Sequence, residues 1–160
     1  MGTNIRISLV IQLMLGMATL GLAQTPAVKK YNPAGVFAPR TYSQVAEVPP
    51  GTRLLFFSGM VAQDEQGNVR YPGELALQIR GAFENIDAAL KAVGARWEDV
   101  VKLTYYVVDL KEQDLALLRS IRSDFLPTTD PPASTLVGVT ALFDPNVRIE
   151  IEAIVALPAQ

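Results

Sequence analysis

The chain of 160 residues contains neither cysteine nor histidine. Without cysteine it can form no disulfide and has no thiol nucleophile, and without histidine it cannot build the Ser-His pair of a serine hydrolase. Zinc and most transition metals also lose their usual nitrogen and sulfur ligands. Any chemistry must therefore come from carboxylates, hydroxyls, backbone groups and ordered water, and we expect neither a metal nor a cofactor.

Basic residues are few and scattered along the sequence. The chain has 14 Lys and Arg residues against 16 Asp and Glu residues, which gives a net charge of −2. A protein that binds nucleic acid needs a dense group of cations to neutralise phosphates, and the sequence shows no run of basic residues that would supply one. We therefore expect no nucleic-acid partner.

Only one long apolar stretch is present, at residues 7–22, and polar and glycine residues interrupt it. It therefore falls short of the roughly 18 uninterrupted apolar residues expected of a membrane-spanning helix. Arg6 precedes the stretch, and the small residues Gly21 and Ala23 stand where a signal peptidase would recognise them before Gln24. This pattern predicts a cleaved secretory signal peptide; the alternative is an uncleaved membrane anchor.

The rest of the chain divides into a leader and one domain. Residues 24–38 are rich in Pro, Ala and Lys and show no periodicity, which is typical of a flexible segment. Residues 39–160 are long and apolar enough to form one domain with a real core. We therefore predict a signal peptide at 1–23, a flexible leader at 24–38 and a domain at 39–160. The protein would be periplasmic or secreted, with no stable membrane anchor.

Strand-like and helix-like periodicities alternate within the domain. The apolar residues of 53–61 predict a buried strand, and 100–108 alternates apolar and polar side chains as a half-buried strand does. Residues 74–93 carry an apolar stripe at helical spacing. A second amphipathic helix follows, with its apolar positions at Leu115, Leu118, Ile121 and Phe125.

The strongest strand signal lies at the end of the chain. Two runs rich in β-branched residues, 134–142 and 147–157, flank a turn at 143–146, and we interpret them as an antiparallel hairpin. In the second strand, side chains alternate between two faces. One face is apolar, with Ile149, Ile151, Ala153 and Val155, and the other is charged, with Arg148, Glu150 and Glu152.

These elements predict an α+β fold in which two helices pack on one face of a mixed β-sheet. The other face of the sheet also has apolar content, so it should be buried against something. A second copy of the chain is the simplest cover.

Three motifs in this sequence resemble those of one known family. The segment V-R-I-E-I-E-A-I at 147–154 follows a Pro-Ala pair, an extended run and a short turn. The strand V-K-L-T-Y-Y-V-V-D at 101–109 fits the pattern V-K-x-T-x-[FY]-V-x-D, and Gln78, Ala82, Phe83 and Asn85 fit a helical one. Over roughly 39–157 the chain resembles the RidA/YjgF family, the reactive imine and enamine deaminases that are also described as L-PSP endoribonuclease-like.

The resemblance implies a chorismate mutase-like fold and a homotrimer with its sheets inward and a small-molecule ligand in each cleft between subunits. It implies hydrolysis of reactive 2-imino or 2-enamino acids, with release of ammonia. Glu150 matches the family's catalytic glutamate, which manages the hydrolytic water. The matching ligand contacts are Tyr42, in a weak first strand predicted at 41–48, and Ser58 and Gly59, in the second strand at 53–61.

The family's carboxylate anchor is where this sequence departs from the pattern. In place of Pro-Ala-Arg-x-Cys-Val it has Pro-Ala-Ser-Thr-Leu-Val, so Ser134 replaces the arginine and Leu136 replaces the cysteine. An arginine binds a carboxylate through two charge-assisted hydrogen bonds, and a serine offers one neutral donor. Arg148 or Arg40 would have to restore the charge. The alternative is a trimeric, non-catalytic protein that binds a small molecule or a partner.

Overall fold

The computed structural model describes residues 27–159, which form an α+β fold, as predicted. Two helices cover one face of a four-stranded mixed sheet, and a separate two-stranded sheet lies near the N-terminal end of this range. The elements in chain order are β1 (Lys29–Tyr31), β2 (Val45–Glu47), β3 (Arg53–Met60), α1 (Leu75–Ala92), β4 (Val100–Val108), α2 (Glu112–Arg122), β5 (Ala133–Val139) and β6 (Ile149–Leu157).

The order of strands in the main sheet is β3-β6-β4-β5, so the predicted hairpin of the last two strands is wrong. Strand β5 pairs in parallel with β4, and β6 lies between β3 and β4, antiparallel to both. A turn does form where expected, because the backbone N–H of Val147 donates to the carbonyl of Asp144 at 3.0 Å. Helix α2 is a crossover that returns the chain beside β4, so β5 and β6 end on opposite sides of that strand.

The core lies between the helices and the inward side of the sheet. The apolar stripe of α1 is confirmed, since Ile79, Phe83, Ile86 and Leu90 are all buried. The stripe packs on alternate residues of the two central strands, which are buried on this side as the period of two requires. These are Leu103, Tyr105 and Val107 of β4 and Ile149, Ile151, Ala153 and Val155 of β6.

The opposite side of the sheet, here called the open face, has no helix on it. Strand β3 was expected to be buried throughout, but its side chains alternate, and those on the open face stay exposed. Phe56 is 73% exposed and Leu54 is 41% exposed, and Val137 of β5 adds a third apolar side chain to this face. Exposed apolar side chains on one face of a sheet make that face a candidate interaction surface.

The predicted signal peptide, 1–23, lies outside the described residues. Part of the predicted flexible leader is described, and here the structure differs from the expectation: β1 pairs antiparallel with β2. The ammonium of Lys30 also donates to the carbonyl of Glu98 at 2.7 Å. Further along, the backbone N–H of Ser43 donates to the carbonyl of Pro132, so the Tyr42 segment is held beside the start of β5.

Candidate functional site

The predicted site residues fall into two groups on opposite faces of the sheet. On β6, Glu150 pairs with Tyr106, whose side chain points to the open face. On β5, Leu136 pairs with Tyr105, whose ring is buried beneath the helices, and Ser134 lies two residues earlier on the same side. Within one chain, Glu150 and Ser134 therefore cannot face a common ligand.

The first group surrounds Glu150 and is here called the open-face cluster. It consists of Ser58, Gly59, Tyr106, Glu150 and Glu152. Gly59 lies in an irregular stretch of β3, where the pairing with β6 shifts between Phe57 and Met60. A Cβ atom at Gly59 would lie 1.7 Å from Oε1 of Glu150, so the carboxyl occupies space that only a glycine leaves free.

The surroundings of Glu150 favour its protonated form. Partial burial raises the pKa of the Glu150 carboxyl, and the neighbouring Glu152 raises this pKa further. Glu152 itself accepts a hydrogen bond from the hydroxyl of Tyr106 at 3.0 Å, and this bond raises the pKa of Tyr106. A carboxyl whose pKa moves toward neutrality can both take up and return a proton, so this arrangement suits general acid and base chemistry.

The second group lines a cavity of about 210 Å³ between α2 and the outer edge of the sheet, here called the edge pocket. It brings together the predicted ligand contacts Tyr42, Ser134 and Leu136. The pocket is completed by Thr41, Tyr105, Leu115, Leu118, Arg119 and Arg122.

Sequence reasoning missed the two arginines of the edge pocket. Arg122 follows Leu118 by four residues, so it lies within the apolar stripe of α2, where a charged residue is unexpected. Its side chain is buried, and its guanidinium donates to the carbonyl of Thr41 and lies 5.9 Å from the ring centre of Tyr105. A cation on the buried face of an amphipathic helix was the signal that could have located this pocket.

Neither arginine proposed as a substitute anchor lines the edge pocket. The guanidinium of Arg148 donates to the carbonyl of Val108 at 3.1 Å, and its backbone N–H donates to Gln78 at 2.7 Å. Arg40 lines an adjoining cavity of about 130 Å³, which it shares with Arg119 and Arg122. Three arginines that are scattered in the sequence thus come together around these two cavities.

The geometry gives no evidence of a metal centre or a membrane span within residues 27–159. In this range no group of three or more acidic side chains is close enough to hold a metal ion. Neither helix there combines the length and the apolar character needed to cross a bilayer.

Comparison with known sequences places the chain in one family. The sequence model described as Endoribonuclease L-PSP matches residues 35–157. A protein named 2-iminobutanoate/2-iminopropanoate deaminase, from Dermatophagoides farinae, is 30% identical over 116 residues, which cover 72% of this chain and 85% of the relative. The RutC family protein YjgH of Escherichia coli is 32% identical over 133 residues, with coverage of 80% and 94%.

Solved structures agree with the sequence comparison. YyfB from Yersinia pestis, described as a protein of unknown function of the conserved Rid family, aligns with a TM-score of 0.75 at 31% identity, over 81% of this chain and 98% of its own. RidA from a Psychrobacter species aligns with a TM-score of 0.58 at 31% identity, over 84% and 99%. From its sequence and its α+β, chorismate mutase-like fold, the chain belongs to the RidA/YjgF family.

Proposed function

We propose that this protein is an imine and enamine deaminase, which hydrolyses reactive 2-imino acids to 2-oxo acids and ammonia. The observation that carries the proposal is the carboxyl of Glu150, which lies over Gly59 on the open face with a raised pKa. The name of the Dermatophagoides relative, a 2-iminobutanoate/2-iminopropanoate deaminase, supports the same class of substrate.

One carboxyl group is sufficient for this reaction. As the carboxylate, Glu150 takes a proton from a water molecule while the water oxygen adds to the imine carbon. The proton then passes to nitrogen, which gives a carbinolamine. Glu150 next takes the proton of the carbinolamine hydroxyl and passes it to the amino nitrogen, so that the C–N bond breaks, the C=O bond forms and ammonia leaves. Positioning and general acid and base catalysis together account for such a step, and neither requires a metal or a cofactor.

The proposal includes a homotrimer. Each face of the sheet in one chain carries only half of the proposed site, the open-face cluster on one face and the edge pocket on the other. The exposed side chains of Leu54, Phe56 and Val137 give the open face an apolar surface that a second subunit would bury. Packing the open face of one subunit against the outer edge of the next would bring the open-face cluster opposite a neighbour's edge pocket. Glu150 and Ser134 would then contribute to one cleft from two chains.

The test is direct hydrolysis of an imine. An amino-acid oxidase generates 2-iminopropanoate in the assay, and the decay of the imine is followed by trapping with semicarbazide. The purified protein should accelerate this decay, and Glu150→Gln should reduce the acceleration about a hundredfold or more. Glu65→Gln changes an exposed turn residue and serves as the matched control. No acceleration by the unmodified protein would contradict the proposal.

The second candidate is a non-catalytic trimer that binds a small molecule. It is favoured by one observation, the serine at position 134 where the family pattern has an arginine. The same assay separates the two, since a protein of this kind would leave the imine decay unchanged while still binding a ligand in the edge pocket.

The proposed place of action is outside the cytoplasm. This follows from the signal-peptide pattern of the first residues and from nothing in the fold. Expression of the full chain in a bacterial host, followed by N-terminal sequencing of the protein from the periplasmic fraction, should give Gln24 as the first residue. Recovery of the uncleaved chain from the cytoplasm or the membrane would contradict this.

A further inference from the structure

We propose that Arg122 and Arg119 of α2 form a carboxylate-binding site in the edge pocket, which replaces the arginine that this chain lacks at position 134. The inference rests on the proposed function only for the ligand class, a small 2-oxo or 2-imino acid. The site itself is argued from the charges and hydrogen bonds of the pocket.

The first observation is a buried cation without a counter-charge. Arg122 is 8% exposed, and among residues 27–159 it forms no ion pair with a carboxylate. A guanidinium has five N–H donors, and the hydrogen-bond contact recorded for Arg122 is with the carbonyl of Thr41. The remaining donors of Arg122 are not among the buried atoms without a partner, so they reach solvent and are available to a bound anion.

The second observation is a buried hydroxyl without a partner in the same pocket. Tyr105 is 1% exposed, and its hydroxyl forms no hydrogen bond with any described residue. Burial raises the pKa of Tyr105 to about 12, so the phenol keeps its proton and remains a donor at neutral pH. A carboxylate in the pocket would accept hydrogen bonds from both Tyr105 and Arg122.

The third observation is the sign of the charges around the two adjoining cavities. Arg119 lines both cavities together with Arg122, and Arg40 lines the second, whereas neither cavity is lined by an Asp or a Glu. Arg119 also forms no ion pair within the described part of the chain. Arg119 and Arg40 are exposed and therefore partly screened by solvent, so the attraction for an anion is strongest at the buried Arg122.

The size and the apolar lining of the edge pocket select a small organic acid. Its volume of about 210 Å³ is more than ten times the roughly 10–15 Å³ that a cavity needs to hold one water molecule. The side chains of Leu115, Leu118 and Leu136 provide an apolar wall for a short alkyl group. Ser134 and Thr41 add hydroxyl groups that suit the polar end of the ligand.

The opposing explanation is that the two arginines only stabilise α2. Both lie in the last turn of the helix, where a cation interacts favourably with the helix dipole. That role requires no ligand, so under this explanation neither substitution would alter the response of the protein to a carboxylate.

The experiment uses pyruvate, a stable 2-oxo acid, as the probe. Binding to the folded protein is measured by isothermal titration calorimetry and by thermal unfolding in a low-chloride buffer. Pyruvate should bind saturably and raise the unfolding temperature, whereas the neutral analogue pyruvamide should not. Arg119→Gln and Arg122→Met should each weaken pyruvate binding about tenfold or more. Arg80→Gln, which removes a surface ion pair with Asp124, should leave binding unchanged.

Ser134→Asp keeps the test valid even if Arg122→Met does not fold. An aspartate there would supply an internal carboxylate to Arg122, so this variant should unfold at a higher temperature and lose its response to pyruvate. An undiminished response in both Arg119→Gln and Ser134→Asp would overturn the proposal. An equal response to pyruvamide, or a stronger one to inorganic phosphate, would overturn the carboxylate assignment.

The pyruvate-binding experiment and the hydrolysis assay test different claims, so the failure of one can be distinguished from the failure of the other. Pyruvate binding that depends on Arg119 but occurs without imine hydrolysis would support the carboxylate site and contradict the proposed function. Hydrolysis with an unchanged KM in Arg119→Gln would support the function and contradict the site.

Discussion

At the scale of single residues, the arrangement of the open face depends on the absence of a side chain at position 59. The carboxyl of Glu150 fills the volume where a Cβ atom of Gly59 would lie. Any larger residue at this position would displace the carboxyl from its place over β3. The glycine therefore fixes the position of the proposed proton-transfer group without touching the chemistry itself.

Gly59→Ala should lower the rate of imine hydrolysis about tenfold or more, because a small misplacement of a catalytic group is costly. The effect should act through Glu150. The double variant Gly59→Ala with Glu150→Gln should therefore be no slower than Glu150→Gln alone in the same assay. Losses that multiply in the double variant would show that Gly59 acts independently of the carboxyl.

The raised pKa of Glu150 also predicts how stability depends on pH. The folded protein holds the Glu150 proton to a higher pH than the unfolded chain, whose glutamates titrate near 4.5. The free energy of unfolding should consequently fall as the pH rises through the window between the two pKa values. Glu150→Gln removes this loss, so this variant should be more stable than the unmodified protein at pH 7.

The measurement is urea unfolding at fixed protein concentration from pH 4 to pH 8. The advantage of Glu150→Gln should shrink toward the acid end, whereas Glu65→Gln should show no such trend. An advantage that is constant across this range would contradict the assigned cause.

At the scale of elements, local patterns predicted both helices and the strands of the main sheet well, but they predicted neither β1 nor which strands pair. The strand 100–108 and the helix 74–93 were predicted to within a residue at each end, because alternation and stripe length are local properties. The pairing of β5 with β4 depends on the path of α2, which no local pattern records. The prediction therefore failed at the supposed hairpin.

For the candidate site too, the sequence predicted single residues but not how they are arranged in space. Family-like motifs identified Glu150, Gly59 and Ser134 from the sequence. Their separation onto two faces follows from the register in which β5 and β6 pair with β4, and it was not predicted. The arginines of α2 were missed because their importance depends on the three-dimensional contact of that helix with Ser134 and Tyr42.

Gln78 of α1 binds the loops that precede α1 and β6 through its buried amide. Its Nε2 donates to the carbonyls of Asn146 at 2.7 Å and Tyr71 at 3.0 Å, and its Oε1 accepts from the backbone N–H of Arg148 at 2.7 Å. The amide thus fixes α1 to the start of β6, two residues before Glu150.

Gln78→Leu should lower the free energy of unfolding by about 2–4 kcal/mol, because it leaves several buried backbone groups without partners. Gln113→Leu, on the exposed surface of α2, should change it by less than about 0.5 kcal/mol. The free energy of unfolding of both variants is to be measured by urea unfolding, monitored by circular dichroism. A loss at Gln78 no larger than that of the control would show that water satisfies these groups equally well.

At the scale of the whole molecule, the fold divides the proposed site between two surfaces. The carboxyl lies on the open face, while the cationic edge pocket lies between α2 and β5 on the other side of the sheet. In our proposal a complete site therefore requires a second copy of the chain, and the exposed apolar side chains of the open face are the proposed surface for its association.

Phe56→Asp should convert the proposed trimer to monomers, because it places a charge at an apolar position that is 73% exposed in the single chain. Leu77→Asp, at a 46% exposed position on α1, should leave the trimer intact. Sedimentation equilibrium measures the mass in solution of the unmodified protein and of both variants. An unmodified protein that sediments as a monomer would contradict this part of the account.

The most direct test of the shared site is complementation between two inactive variants. Glu150→Gln disables the open-face cluster, and Ser134→Tyr fills the edge pocket. Co-expressed in equal amounts, the two should form mixed trimers that recover about a quarter of the unmodified rate of imine hydrolysis, since each site draws its halves from two subunits. If mass spectrometry shows mixed trimers and the rate remains that of the separate variants, the two surfaces do not form one site.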